Sequence, residues 1–152
     1  MKFIKESVIK ASPQRVFSFH EMPDAIERLM PPWEDANVIQ KADMSVVGSR
    51  AIIETKIFGL IPVRWVAEHT VYDPPCVFED VQIEGPFSSW VHRHIVEPHA
   101  DGATLRDEIE FRPPLGFLGT IGAPIAVLPR LEKLFNFRHE ATRAWCESGA
   151  AD

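Results

Sequence analysis

Apolar and polar residues alternate along this chain with a period that changes twice. Residues 2–10 space Phe, Ile and Val loosely by two, which predicts a first strand. Ser12-Pro13 then supplies an N-cap and a first helical residue, and Val16, Phe17 and His20 follow at helical spacing. A second start at Pro23-Asp24 places Ile26, Leu29 and Met30 on one face before Pro31-Pro32 stops it. From Ala36 to Arg112 the period is two. Strands are predicted at 37–42, 49–58, 63–72, 77–84, 87–98 and 103–112, separated by turn residues such as Gly59–Pro62, Asp73-Pro74-Pro75, Gly85-Pro86 and His99–Gly102. The helical period returns at Arg130–Trp145, with Leu131, Leu134, Phe135, Thr142 and Trp145 on one stripe and Arg138 crossing it. Pro129 suits the first turn of this helix, and Gly149 its end. The order strand, two short helices, about six strands, long helix predicts an α+β fold in which an antiparallel sheet wraps a C-terminal helix. A single domain over residues 1–148 with a short tail at 149–152 is expected.

Composition changes this picture little. The chain has 152 residues, 45% of them hydrophobic and 25% charged, as in ordinary globular proteins. Twenty-two acids against 16 Lys and Arg give a net charge of −6, which speaks against nucleic acid or an anionic membrane as partner. Cys76 and Cys146 form no CxxC pair. The start, MKFIKESVIKAS, has no continuous apolar stretch and is not read as a signal peptide, so a cytoplasmic protein is expected. The 17 uncharged residues from Pro113 to Pro129 contain four prolines and three glycines, which argues against a membrane span.

The alternation also predicts which side chains share a face. Ala103, Leu105, Asp107, Ile109 and Phe111 lie on one side of the last strand, opposite Thr104, Arg106, Glu108, Glu110 and Arg112. A hairpin at His99–Gly102 would set Val96 against Leu105, His94 against Asp107, His92 against Ile109 and Trp90 against Phe111. A two-residue turn at Gly85-Pro86 would set Val81 against Trp90 and Glu79 against His92, with Val77 beside His94. Val63, Trp65, Ala67, His69 and Val71 make an inner row on the preceding strand, whose register the Asp73–Cys76 turn leaves open. The expected inner face is therefore apolar apart from Glu79, His92, His94 and Asp107, with His69 as a weaker member.

Short stretches resemble a known family. They are Ala11–Phe17 (ASPQRVF), Glu84–Phe87 (EGPF), Trp90–His94 (WVHRH), Gly102–Asp107 (GATLRD), Pro114-Leu115-Gly116 and Leu134–Arg138 (LFNFR). In this order they resemble the polyketide cyclase/dehydrase-like branch of the START-like, or SRPBCC, superfamily. The resemblance implies the helix-grip fold and a cavity for a hydrophobic or amphipathic small molecule. It does not imply one activity.

The leading expectation is a carrier or sensor of such a molecule. Its ligand-binding candidates are Trp65, His69, Glu79, Val81, Trp90, His92, His94, Leu105, Asp107, Ile109, Phe111, Phe135 and Arg138. The alternative is a cyclase or dehydratase in which His94 paired with Asp107 moves a proton. A third reading makes the apolar loop Leu115–Ile121 a contact for a protein or membrane surface. Gly116–Gly122 has repeated glycines without the Lys of a phosphate loop, and reads as an entry to the last helix or a gate. His92 and His94, two apart, could join Glu79, Asp107 or His69 around a metal. No ligand signature accompanies them, so neither metal nor cofactor is expected. Arg138 is expected to face an inward acid.

Overall fold

The computed structural model describes residues 1–57, 59–114, 122 and 125–149. Seven strands form one antiparallel sheet: β1 (Lys2–Ile9), β2 (Ala36–Gln40), β3 (Arg50–Ile57), β4 (Ile61–Asp73), β5 (Val77–Glu84), β6 (Ser89–His99) and β7 (Gly102–Arg112). Their order is β1-β7-β6-β5-β4-β3-β2. Helices α1 (Pro13–Glu21) and α2 (Ala25–Arg28) follow β1, and α3 (Leu128–Glu147) closes the chain. This is the helix-grip arrangement that the sequence order implies. The expected loop and gate at Leu115–Ile121 lie outside the described residues.

Local chemistry accounts for the helix ends. Ser12 Oγ accepts from the Arg15 amide at 3.2 Å, and Pro13 opens α1. At the far end of α3, Gly149 takes φ +66°, the left-handed turn that ends a helix. The Arg15 guanidinium ties α1 to that end, because its Nε donates to the Cys146 carbonyl at 2.8 Å while the group lies over the Trp145 ring. Cys146 is buried, Cys76 is exposed, and both are free thiols.

α3 lies against the inner face of the sheet between two apolar clusters. Ile9, Phe17, Phe19, Phe78, Val96, Leu105 and Cys146 belong to one. Phe3, Trp90, Ile109, Phe111, Leu131 and Phe135 form the other. On β7 the inward residues Leu105 and Ile109 fall in different clusters, with Asp107 between them. On α3 the same happens to Phe135 and Cys146, with His139 and Thr142 between. A polar belt therefore crosses the middle of the core.

The expected β6–β7 register is the one observed. Val96 pairs with Leu105, His94 with Asp107, His92 with Ile109 and Trp90 with Phe111. The β5–β6 register differs by one residue: Phe78 pairs with His94, Asp80 with His92 and Val81 with Val91. A one-residue slip reverses every side chain on a strand. Val77, Glu79 and Val81 therefore leave the predicted inner face, and Phe78 and Asp80 take their place. The cause is the connection, which is not a two-residue turn. Gly85–Ser88 bend outside the strands, and the Gln82 side chain bridges the loop, donating to the Phe87 carbonyl (2.7 Å) and accepting from its amide (3.3 Å). On the outer face Glu79 meets Arg93 at 2.6 Å and accepts from Thr70 at 2.7 Å.

β4 carries a second correction. Its pairing with β5 shifts between His69 and Val71. Such a bulge changes which side successive residues face. His69 remains inward, with its ring near Phe78. Beyond it Tyr72 packs on Phe17, whereas Val71, expected inside, is exposed.

Candidate functional site

Asp107 is the centre of the belt and is 3% exposed. Strand β7 points it at α3, and β6 and α3 surround it with imidazoles. His92 Nε2 donates to Oδ1 at 2.8 Å, and His139 Nε2 donates to Oδ2 at 2.7 Å. With Nε2 of His139 so engaged, its Nδ1 accepts from Ser7 Oγ–H at 2.8 Å, a tautomer assigned from the network. His94 Nδ1 also approaches Oδ1, to 2.7 Å, but off the direction of a hydrogen bond. The His94 ring stacks on Phe78 at 4.0 Å and lies 3.8 Å from that of His92.

These contacts set the charges. Burial alone would raise the Asp107 carboxyl, but His94 beside it and the hydrogen bonds from His139 and His92 hold it well below the usual carboxylate range. Burial, with His92 adjacent, pushes His94 well below the ordinary histidine value despite Asp107. The pair is thus a carboxylate beside a neutral imidazole. His20 reaches the site from α1, and its Nδ1 donates to the Val16 carbonyl at 2.9 Å. Burial lowers its pKa from 6.5 to about 4. Asp80 shifts upward, because burial outweighs the pull of His92, His69 and Arg138.

A cleft of about 190 Å³, counted with its open mouth, reaches this cluster between sheet and helix. His20, Leu29, His94, Leu105, Asp107, Phe135, Arg138, His139 and Thr142 line it. It is smaller and more polar than the apolar, ligand-sized cavity expected from the sequence. Arg138 faces inward. Its Nε donates to the Leu29 carbonyl at 3.3 Å, and Asp107 and Asp80 act on it through space.

Of the residues singled out by sequence, His94, Leu105, Asp107, Phe135 and Arg138 converge on the cleft. His92 is buried directly beside them. Trp65, Trp90, Ile109 and Phe111 lie farther along the same face, where the Trp65 and Trp90 rings meet edge to face at 5.1 Å. His69 faces the same side but lies outside the cleft lining. Glu79 and Val81 do not join, for the register reason above. Sequence reasoning missed His139, His20, Asp80 and Ser7. His139 carried a signal: four residues after Phe135 and seven before Cys146, it falls on the buried stripe of α3.

The model of the family described as polyketide cyclase / dehydrase and lipid transport matches residues 9–135. The chain belongs to this family. No curated protein matches the sequence as a relative. Solved structures of low sequence identity share the fold. Protein CV1439 from Chromobacterium violaceum superposes with a TM-score of 0.72 at 16% identity, covering 96% of this chain and 97% of that one. TTHA0849 from Thermus thermophilus gives 0.73 at 17%, covering 95% and 99%. The ginseng major latex-like protein 151 from Panax ginseng gives 0.71 at 14%, covering 97% of each. Among the described residues, no helix is long and apolar enough to cross a membrane.

Proposed function

We propose that this protein binds a hydrophobic or amphipathic small molecule between the sheet and α3, seating its polar end on His94, Asp107 and Arg138. The observation that carries this reading is the polar belt at the foot of a cleft in an otherwise aromatic and aliphatic face. Binding sites for small molecules combine apolar walls with few, convergent polar groups. Here Phe135 and Leu105 offer the wall, the neutral His94 ring offers a hydrogen-bond partner, and Arg138 offers a cation. The family's description, which includes lipid transport, supports the same reading. The enclosed part of the cleft is far smaller than the roughly 300 Å³ at which ligand pockets begin, so occupancy requires α3 and Leu29 to move apart.

A second reading, a cyclase or dehydratase working through His94 and Asp107, draws on their 2.7 Å approach. It ranks lower because the environment that keeps His94 neutral also makes it a weak base. One panel tests both. Fatty acids of increasing length and fused-ring phenols and ketones are titrated against tryptophan fluorescence. The expected result is saturable binding at one molecule per chain. Arg138→Leu should weaken acidic members at least tenfold while neutral members keep their affinity. Silence across the panel would refute the carrier. Loss of α-proton exchange in the ketones with His94→Ala, at unchanged affinity, would move the enzyme into first place.

A further inference from the structure

Asp80, His92 and His94 each present one potential metal-ligating atom, and these three atoms lie within 4.8 Å of one another. We infer that these three side chains form a binding site for a divalent transition-metal ion of the zinc class, held from behind by the Asp107 carboxylate. This does not depend on the small-molecule reading, and either can fail without the other.

Geometry is the first argument. His92 Nε2 is occupied by Asp107, which leaves Nδ1 as its ligating atom, 3.5 Å from Asp80 Oδ2. Two ligands each about 2.1 Å from a tetrahedral ion stand roughly 3.4 Å apart. The β5–β6 register creates this approach, because it pairs Asp80 with His92. His94, two residues on, projects from the same side of β6.

The second argument is an unpaired acceptor. Asp80 Oδ2 is buried and has no hydrogen-bond partner among the described residues. Taking a carboxylate oxygen out of water without compensation is costly. His69, opposite Asp80 in the β4–β5 ladder, likewise has a buried Nδ1 without a partner among the described residues. Two orphaned ligand-type atoms in one region are uncommon among folded proteins.

Asp107 supplies the third argument. It holds His92 through Nε2 and touches His94 through Nδ1, as an outer carboxylate does when it orients metal-bound imidazoles. Charge is consistent as well: a divalent cation is balanced by Asp80 and Asp107, with both imidazoles neutral. Two nitrogens and one carboxylate oxygen suit zinc, cobalt, nickel or iron rather than magnesium or calcium, which prefer oxygen alone.

The test uses untagged full-length protein stripped with a chelator and titrated with cobalt(II), whose four-coordinate complexes absorb in the visible. The expected result is a band that saturates at one equivalent. Asp80→Asn should weaken cobalt binding at least tenfold, Asp107→Asn by about 10- to 100-fold, and His99→Ala should leave it unchanged. Ring-nitrogen resonances read during zinc titration of the wild type provide a check that needs no variant: His92 and His94 should shift and His99 should not. Absence of a one-equivalent transition, its survival in folded Asp80→Asn, or shifts centred on His99 would overturn the site.

Discussion

His20 enters the core from α1, where burial keeps its imidazole uncharged to about pH 4. The groups that face it are His92 and His94 on β6, Asp107 on β7, and His139 and Arg138 on α3. The consequence for stability follows from linkage. Above pH 6.5 the ring is neutral folded and unfolded, so it contributes nothing. As pH falls from 6.5 towards 4, the unfolded chain takes up a proton that the folded chain refuses, and stability is lost. The full loss corresponds to about 3 kcal/mol for a shift from 6.5 to about 4. Asp107, held low, loses its contribution only below the ordinary carboxylate range. His94 and Asp80 titrate in any variant that leaves them in place. Denaturant unfolding of wild type and His20→Phe between pH 7 and pH 4 should therefore show the wild type losing more stability than the variant as pH falls, by up to about 3 kcal/mol. Parallel curves would mean that the His20 ring charges freely in the folded state.

At the scale of elements, legibility in the sequence depended on the connections. The β6–β7 pairing could be read because the hairpin His99–Gly102 announces its own length. Pairing between β5 and β6 could not, because Gly85-Pro86 resembles a two-residue turn while the chain spends four residues there. Alternation misled in the same direction: Val77 and Val81 look like an inner face, yet Ile83, on their side of the strand, is 49% exposed. Phe78 and Asp80 face inward instead, where Asp80 meets the polar belt. His92, His94 and Asp107 were legible as a cluster, and His139, on a helix distant in sequence, was not. The two loops also differ in what their glycines do. A Cβ on Gly102, whose φ is +142°, would meet the Ile9 carbonyl oxygen at 2.3 Å and the Ala11 backbone at 2.8 Å. The three atoms nearest to one on Gly85 all belong to the Gln82 side chain, the first, Oε1, at 2.4 Å. Gly102→Ala should thus cost several kcal/mol, since backbone must shift. Gly85→Ala should cost about 1 kcal/mol, the loss of Gln82's bonds to Phe87. Thermal unfolding of the two variants would decide it, and equal costs would contradict the backbone-clash argument.

For the molecule as a whole, the question is what holds α3 against the sheet. Two apolar clusters do so at either end, but the middle is polar, and the link there is Ser7–His139–Asp107–His92, running from β1 through the helix to β7 and β6. Surface ion pairs such as Lys5–Glu132 join the same elements and are worth little by comparison. Asp107 accepts from both His139 and His92, so removing its charge leaves two buried donors poorly matched at once. Asp107→Asn should then cost about 3 kcal/mol or more. His139→Gln removes one of the same bonds, so its cost overlaps with the first. If the belt joins helix to sheet, the double variant should be more stable than the summed single losses imply, by at least about 1 kcal/mol. Urea unfolding of the four proteins in chelator, followed by tryptophan fluorescence, measures this directly. Additivity within about 0.5 kcal/mol would show that α3 is held by its apolar ends alone, with Asp107 and His139 acting as independent neighbours.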